Sequence, residues 1–167
     1  MHCFVFDVDG VLVDPSRRYR EALRRSRGDR DFFWELFLSP SLMALDEPRR
    51  LGINLLLDRL KRGRVIIVTG RPERLRRVTI NQLSGFGVPI KRVDAVLMRE
   101  DGDLRKEWHV KPEILKAYVA ARGLRVVEVH DDEPRTLEAI SRVFPKARLY
   151  LHKGRHYVKY AGLADFL

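Results

Sequence analysis

The sequence predicts an α/β fold with a five-stranded, mainly parallel sheet, and three observations carry that expectation. Short runs of β-favouring residues alternate with helical stretches of about 12 residues, the pattern of a parallel sheet with right-handed crossovers. The clearest of these runs are apolar throughout rather than every second residue, as strands covered on both faces require. Acidic, hydroxyl and basic groups follow the runs directly, at the strand ends where open α/β sheets take their ligands. The 167 residues suffice for one ordinary domain spanning 1–167.

Residues 2–6 (HCFVF) form the first strand, with Asp7 and Asp9 at its C-terminal end. Alternation turns these two side chains to one side and Val8 to the other, and Gly10 permits a sharp departure beyond them. Two carboxylates this close repel unless a cation lies between them or one is protonated. That arrangement suits a hard oxygen-seeking ion such as Mg²⁺ and acid/base work. Residues 15–30 hold Arg17, Arg18, Arg20, Arg24, Arg25, Arg27 and Arg30 on a helix opened by Pro15-Ser16 and broken by Gly28-Asp29, with a thin apolar side of Tyr19, Leu23 and Ser26. So basic a helix is equally a solvated face or a surface for phosphates. Residues 31–38 (DFFWELFL) are expected to pack into the core or over the site as part of a small lid, core packing being favoured over stacking of Trp34 on bases. After a loop at 39–41, Asp46 and Pro48 mark the start of a helix in which Leu51, Leu55, Leu56 and Leu60 repeat at helical spacing, and Gly63 ends it.

Residues 64–68 form the second strand, followed by Thr69-Gly70-Arg71-Pro72. A helix beginning at Pro72 would aim free N–H groups at an oxyanion beside the Arg71 guanidinium. A weaker third strand at 94–98 leads into the polar loop 99–107 (REDGDLRKE), and Lys111-Pro112 opens a helix that runs to 121 and is closed by Gly123. The fourth strand, 126–129, ends in His130-Asp131-Asp132-Glu133; Pro134 starts the next helix, and 147–151 is the fifth strand. His130 reads as a strand-end packing residue. Residues 152–167 read as a basic loop and a short apolar tail docked on the sheet.

The net charge is +10, with 25 Arg, 8 Lys and 23 acidic residues. Arginine binds phosphate bidentately and stacks on bases, so this bias favours a nucleic acid or another polyanion; a surface of ion pairs would need more acids. No apolar run approaches the roughly 18 residues of a membrane span. The single Cys3 excludes an internal disulfide, and with no signal-peptide pattern the expected compartment is the cytoplasm.

The strings DVDGVLVD, VTGR and VHDDE, with Lys111 between the last two, stand in the order of the four motifs of the haloacid dehalogenase superfamily of phosphohydrolases, which the whole chain resembles. The span LMREDGDLRKEWHVKPEIL, the GR of VTGR and the short insert after the first motif resemble the 3′-phosphatase domain of phage-type polynucleotide kinase/phosphatases. The resemblance implies a Rossmannoid three-layer sandwich with a minimal helical cap within 15–62. It implies Asp7 as nucleophile, Asp9 as general acid and base, and Thr69 and Lys111 as groups neutralising the phosphoryl oxygens. Mg²⁺ would be held by Asp7, the carbonyl of Asp9 and Asp132, with Asp131 orienting Lys111 or a metal-bound water. Arg18, Gly70, Arg71, Arg105 and Glu107 fall on the substrate side; the family has Asp where this chain has Glu107. The implied function is a Mg²⁺-dependent phosphomonoesterase that forms an aspartyl-phosphate and removes 3′-terminal phosphates from DNA or RNA, with nucleotides or other small phosphate esters as the alternative substrates. A binding module on a degenerate phosphatase fold is disfavoured by the intact set of reactive residues. The implied partner is a nucleic acid 3′-phosphate end. No GxxxxGK[ST] motif occurs, so the resemblance stops at the phosphatase half and leaves a separate kinase or ligase chain open as a partner; the sequence sets no oligomeric state.

Overall fold

Strand β1, His2–Phe6, lies inside the sheet and alternates its side chains between two cores. Phe4 and Phe6 point into one and Cys3 and Val5 into the other, so the sheet is buried on both faces. The computed structural model describes residues 1–162. After β1 come β2 (Val13–Asp14), α1 (Ser16–Ser26), α2 (Arg30–Phe37), α3 (Pro40–Met43) and β3 (Glu47–Pro48). Then follow α4 (Arg50–Leu60), β4 (Arg64–Pro72), α5 (Arg76–Gly85), β5 (Ala95–Arg99), α6 (Glu107–Arg122), β6 (Arg125–Asp131), α7 (Pro134–Val143), β7 (Arg148–Lys153) and β8 (His156–Lys159). The main sheet runs β5-β4-β1-β6-β7-β8, parallel except for β8. Ile53, Leu56 and Leu83 from α4 and α5 cover one face; Leu115, Val119, Leu137 and Ile140 from α6 and α7 cover the other. The short β2–β3 ribbon holds the insert of α1, α2 and α3 beside the C-terminal ends of the strands. No helix among the described residues is long and apolar enough to cross a membrane.

Several expectations from the sequence change. The sheet has six strands, because part of the stretch read as a basic loop folds back as β8, turning at Gly154 with a positive φ of 55°. The apolar tail expected beyond it falls partly on 163–167, outside the described residues. Strand β4 continues through Pro72 and a 3₁₀ turn follows, so α5 begins at Arg76 and its N–H groups do not sit at Thr69 to Arg71. Helix α6 begins one turn earlier than Lys111-Pro112 suggested, which places Glu107 and Lys111 four residues apart on one face. Asp46 is no helix start; it is buried, and α4 begins at Arg50. Helix α1 buries Arg18, Ala22 and Ser26 and leaves Tyr19 and Leu23 exposed, so of the apolar side read from the sequence only Ser26 turns inward. Helix α2 has no buried residue, so it covers the site instead of filling the core.

A chain of buried polar groups crosses the sheet from α4. Arg49 Nη1 lies 2.7 Å from His152 Nδ1, and His152 Nε2 lies 2.8 Å from His130 Nδ1. His130 stacks between Phe6 and Tyr150 and faces Glu128 at 3.6 Å, and Arg59 holds Glu128 in turn. Arg49 also donates to the carbonyls of Val11, Gly154 and His156, tying the turn after β1 to the β7–β8 hairpin. Burial, His130 and Arg49 push the His152 pKa down to about 3, and burial lowers that of His130. Both are therefore neutral when folded and gain a proton on unfolding below pH ~6.5. The His152 contribution is complete above that pH and is lost as pH falls towards 3, and that of His130 changes in the same direction. Denaturant unfolding should show about 2 kcal/mol of stability lost between pH 6.5 and 5 on account of His152, and a shallower loss in His152→Gln.

Candidate active site

The turn after β1 carries the first two acids. Asp7 N–H donates to the His130 carbonyl of β6, 3.0 Å away, so the end of β1 is pinned beside the end of β6 and Asp7 meets Asp131. Val8 between the aspartates is fully buried in the core, as the alternation predicted. Gly10 has φ 89°, and a Cβ there would collide with the Asp132 carboxylate. Glycine is thus what lets the β6 end approach the turn.

Asp7, Asp131 and Asp132 each offer an oxygen, and these atoms lie within 4.8 Å of one another. Lys111, buried at the inner side of this group, bridges Asp7 Oδ1 and Asp131 Oδ2 at 2.9 Å each. Burial disfavours its charge, but Asp131, Asp7 and Glu107 hold its pKa well above the usual lysine range. One ammonium cannot neutralise three carboxylates. Burial and then Asp131 push the Asp7 pKa well above the ordinary range, against the pull of Lys111. Asp132, exposed at the rim but with its carboxyl turned against Gly10, is pushed up to about 8 by desolvation and by Asp131. Three converging carboxylates with unmet charge fit a divalent, oxygen-seeking cation.

Asp9 belongs to a second, separately neutralised group. Arg71 grips it through Nη2–Oδ1 at 2.8 Å and Nε–Oδ2 at 3.1 Å, and Arg18 pairs with the same Oδ1. Burial opposes ionisation of Asp9, but Arg71 and then Arg18 overrule it and hold the carboxyl far below the carboxylate range. Asp46 completes the set with no exposed side-chain surface: Oδ1 accepts from Arg18 Nε at 2.9 Å, and Oδ2 accepts from Gln82 Nε2 at 2.9 Å and from Arg71 at 3.4 Å. Arg18 and Arg71, the expected substrate-side arginines, are themselves fully buried and committed to these carboxylates. Sequence reasoning missed Asp46 and Gln82. The only signal for Asp46 was an acid just before Pro48, which local turn chemistry explains as well.

A cleft of about 1620 Å³ opens above both groups, lined by Asp7, Asp9, Gly70, Arg71, Glu107 and Asp132 among others. Thr69 is buried, its hydroxyl accepting from Arg71 N–H at 3.1 Å, which fixes the oxygen and leaves its proton to donate. A Cβ on Gly70 would strike the Glu107 carboxylate, which lies 3.8 Å from Lys111. Arg105 is placed differently: it pairs with Asp103 at 2.9 Å and Glu113 at 2.7 Å and does not line the cleft. It fastens the 99–107 loop, whose carbonyls at Asp103 and Arg105 accept from Arg99.

Comparison with solved structures returns the same fold at low identity. A chain in the structure of a Pnkp1/Rnl/Hen1 complex is similar at TM-score 0.65 and 19% identity over 90% of this chain, which spans only 45% of that one. A chain of the Pnkp1/Rnl/Hen1 RNA repair complex gives 0.57 and 18%, over 90% of this chain and 42% of that one. A putative β-phosphoglucomutase from Thermotoga maritima gives 0.60 and 20%, over 86% and 82%. No curated protein matches the sequence. The family model for haloacid dehalogenase-like hydrolases matches residues 1–153, and with Asp7, Lys111, Asp131 and Asp132 converging at the strand ends as described, the chain belongs to that family.

Proposed function

We propose that this protein is a Mg²⁺-dependent phosphomonoesterase that works through an aspartyl-phosphate on Asp7 and removes 3′-terminal phosphates from DNA or RNA. The observation that carries the chemistry is the placement of Asp7: a carboxylate at the floor of an open cleft, with Lys111 on one oxygen and two further carboxylates beside it. Asp7, Asp131 and Asp132 would hold the metal, which supplies positive charge to the phosphoryl oxygens and keeps Asp7 ionised. Asp7 attacks phosphorus and the ester oxygen departs. Lys111 and Thr69 stabilise the charge on the transferring group. Asp9 gives the leaving oxygen its proton and later takes one from the hydrolytic water. In the free protein Arg71 and Arg18 hold Asp9 ionised. An incoming phosphate dianion repels that carboxylate, which favours its protonation.

Support for a polymer substrate comes from the cleft's rim. Arg20, Arg74, Lys106 and Arg155 line it, are exposed, and form no ion pair among the described residues. The similarity to chains of complexes named for Pnkp1, one of them titled an RNA repair complex, points the same way.

Metal binding has a readout apart from turnover. Ligation requires ionised carboxylates, so Mg²⁺ should raise the thermal unfolding temperature more at pH 8 than at pH 5.5. The rise should be roughly 5–10 °C at 100-fold over Kd, and Asp132→Asn should abolish it. Phosphate release from a 3′-phosphorylated oligonucleotide should exceed release from its 5′-phosphorylated isomer and from a mononucleotide 3′-phosphate. Asp7→Asn should lower it more than about 10³-fold with the fold intact. Equal or faster release from the mononucleotide would move the assignment to small phosphate esters.

A further inference from the structure

Helices α1 and α2 present aromatic rings that no core absorbs. Tyr19 is 49% exposed and Trp34 48%. The rings are nevertheless ordered against one another. Phe33 and Phe37 stack at 5.5 Å between centroids, Tyr19 meets Phe33 edge-on at 5.5 Å, and Trp34 meets Phe37 edge-on at 5.9 Å. Burying such rings in a core would have been favourable, so their exposure beside polar groups marks a contact surface.

Their position says what the contact is. Tyr19, Trp34 and Phe37 line the same cleft as Asp7 and Asp9. The Arg18 guanidinium lies over the Phe37 ring, 4.4 Å from its centroid, and pairs with Asp9, so the aromatic cluster is joined to the site carboxylate through one side chain. Arg20 next to Tyr19, and Arg155 on the β7–β8 turn, line the cleft as well and have no ion pair among the described residues. Flat apolar faces flanked by cations suit a ligand with π faces joined by anionic links, the chemistry of a single-stranded polynucleotide.

We infer that Tyr19 and Trp34 form a stacking subsite for the bases of an unpaired 3′ end, with Arg20 and Arg155 meeting the upstream phosphodiesters. The inference rests on the 3′-phosphatase reading and names the strand geometry that this reading leaves open. A base must leave its helix to offer both faces, so the enzyme selects single-stranded or frayed ends over blunt duplexes; stacking is indifferent to which base is bound.

The test compares kcat/KM for two single-stranded 3′-phosphorylated oligonucleotides, one with ordinary terminal nucleosides and one with abasic residues at the last two positions. The wild-type enzyme should favour the base-bearing end about 10- to 100-fold, mainly through KM. Trp34→Ala with Tyr19→Ala should bring that ratio close to one, and Trp34→Phe with Tyr19→Phe should restore most of it. A wild-type ratio near one, with both ends hydrolysed, would overturn the stacking subsite and leave the 3′-phosphatase assignment standing. A ratio that survives the alanine variants would also overturn it. Hydrolysis of small phosphate esters with neither oligonucleotide cleaved would remove both.

Discussion

Lys111 is the group on which the rest of the site depends. Strand pairing alone brings Asp7 and Asp131 side by side at the ends of β1 and β6, and such a pair of buried carboxylates is unstable without a cation. The ammonium from the second turn of α6 meets both at 2.9 Å. A buried lysine is itself costly unless its charge is answered, and here two carboxylates answer it. Helix and strand ends thus stabilise each other, and the residual negative charge is concentrated at the rim with Asp132, where a metal ion and a phosphate can both reach it.

The two aspartates of the first turn are set apart electrostatically by their surroundings. Asp7 faces other acids and one lysine, which opposes its ionisation; Asp9 faces two arginines, which favour it. Asp46 shares those arginines, so the guanidiniums remain held if Asp9 gains a proton. In the free protein these directions run opposite to the proposed roles of nucleophile and general acid, so a bound cation must restore the charge on Asp7 and a bound phosphate must favour a proton on Asp9 before either acts. The clamp also ties the helical insert to the sheet, because Arg18 belongs to α1, Asp46 to the end of the insert and Arg71 to β4.

Some of the excess arginine is paired locally. Arg24 and Arg25 share Glu21, Arg62 pairs with Asp58, and Arg76 with Glu73, all on exposed helical or turn surface where each pair is worth little. The arginine-rich helix keeps a net positive outer face, because its single acid, Glu21, serves both Arg24 and Arg25. Part of the uncompensated charge, on Arg20, Arg74, Lys106 and Arg155, lines the cleft, and there it adds to the field that draws an anion towards Asp7.

How much of this was legible in the sequence follows from which contacts are local. The apolar runs and helical intervals determined the parallel sheet, and a right-handed parallel sheet necessarily brings the ends of adjacent strands together, so the meeting of Asp7, Thr69 and the Asp131-Asp132 pair could be read from order alone. The start of α6 could not, because Pro112 imitates a helix's first residue while tertiary packing tolerates it inside. Nor could the fate of Tyr19, Trp34 and Arg18, since a helical period shows which residues share a face but not which face is buried. Tertiary structure decided that by bringing residues 9, 18, 46 and 71 together: two carboxylates reached the α1 face that carries Arg18, and the aromatics were left towards the cleft. Pairing between groups so distant in the chain leaves no periodic trace in sequence, and only the folded chain supplies the partners that make a buried arginine favourable.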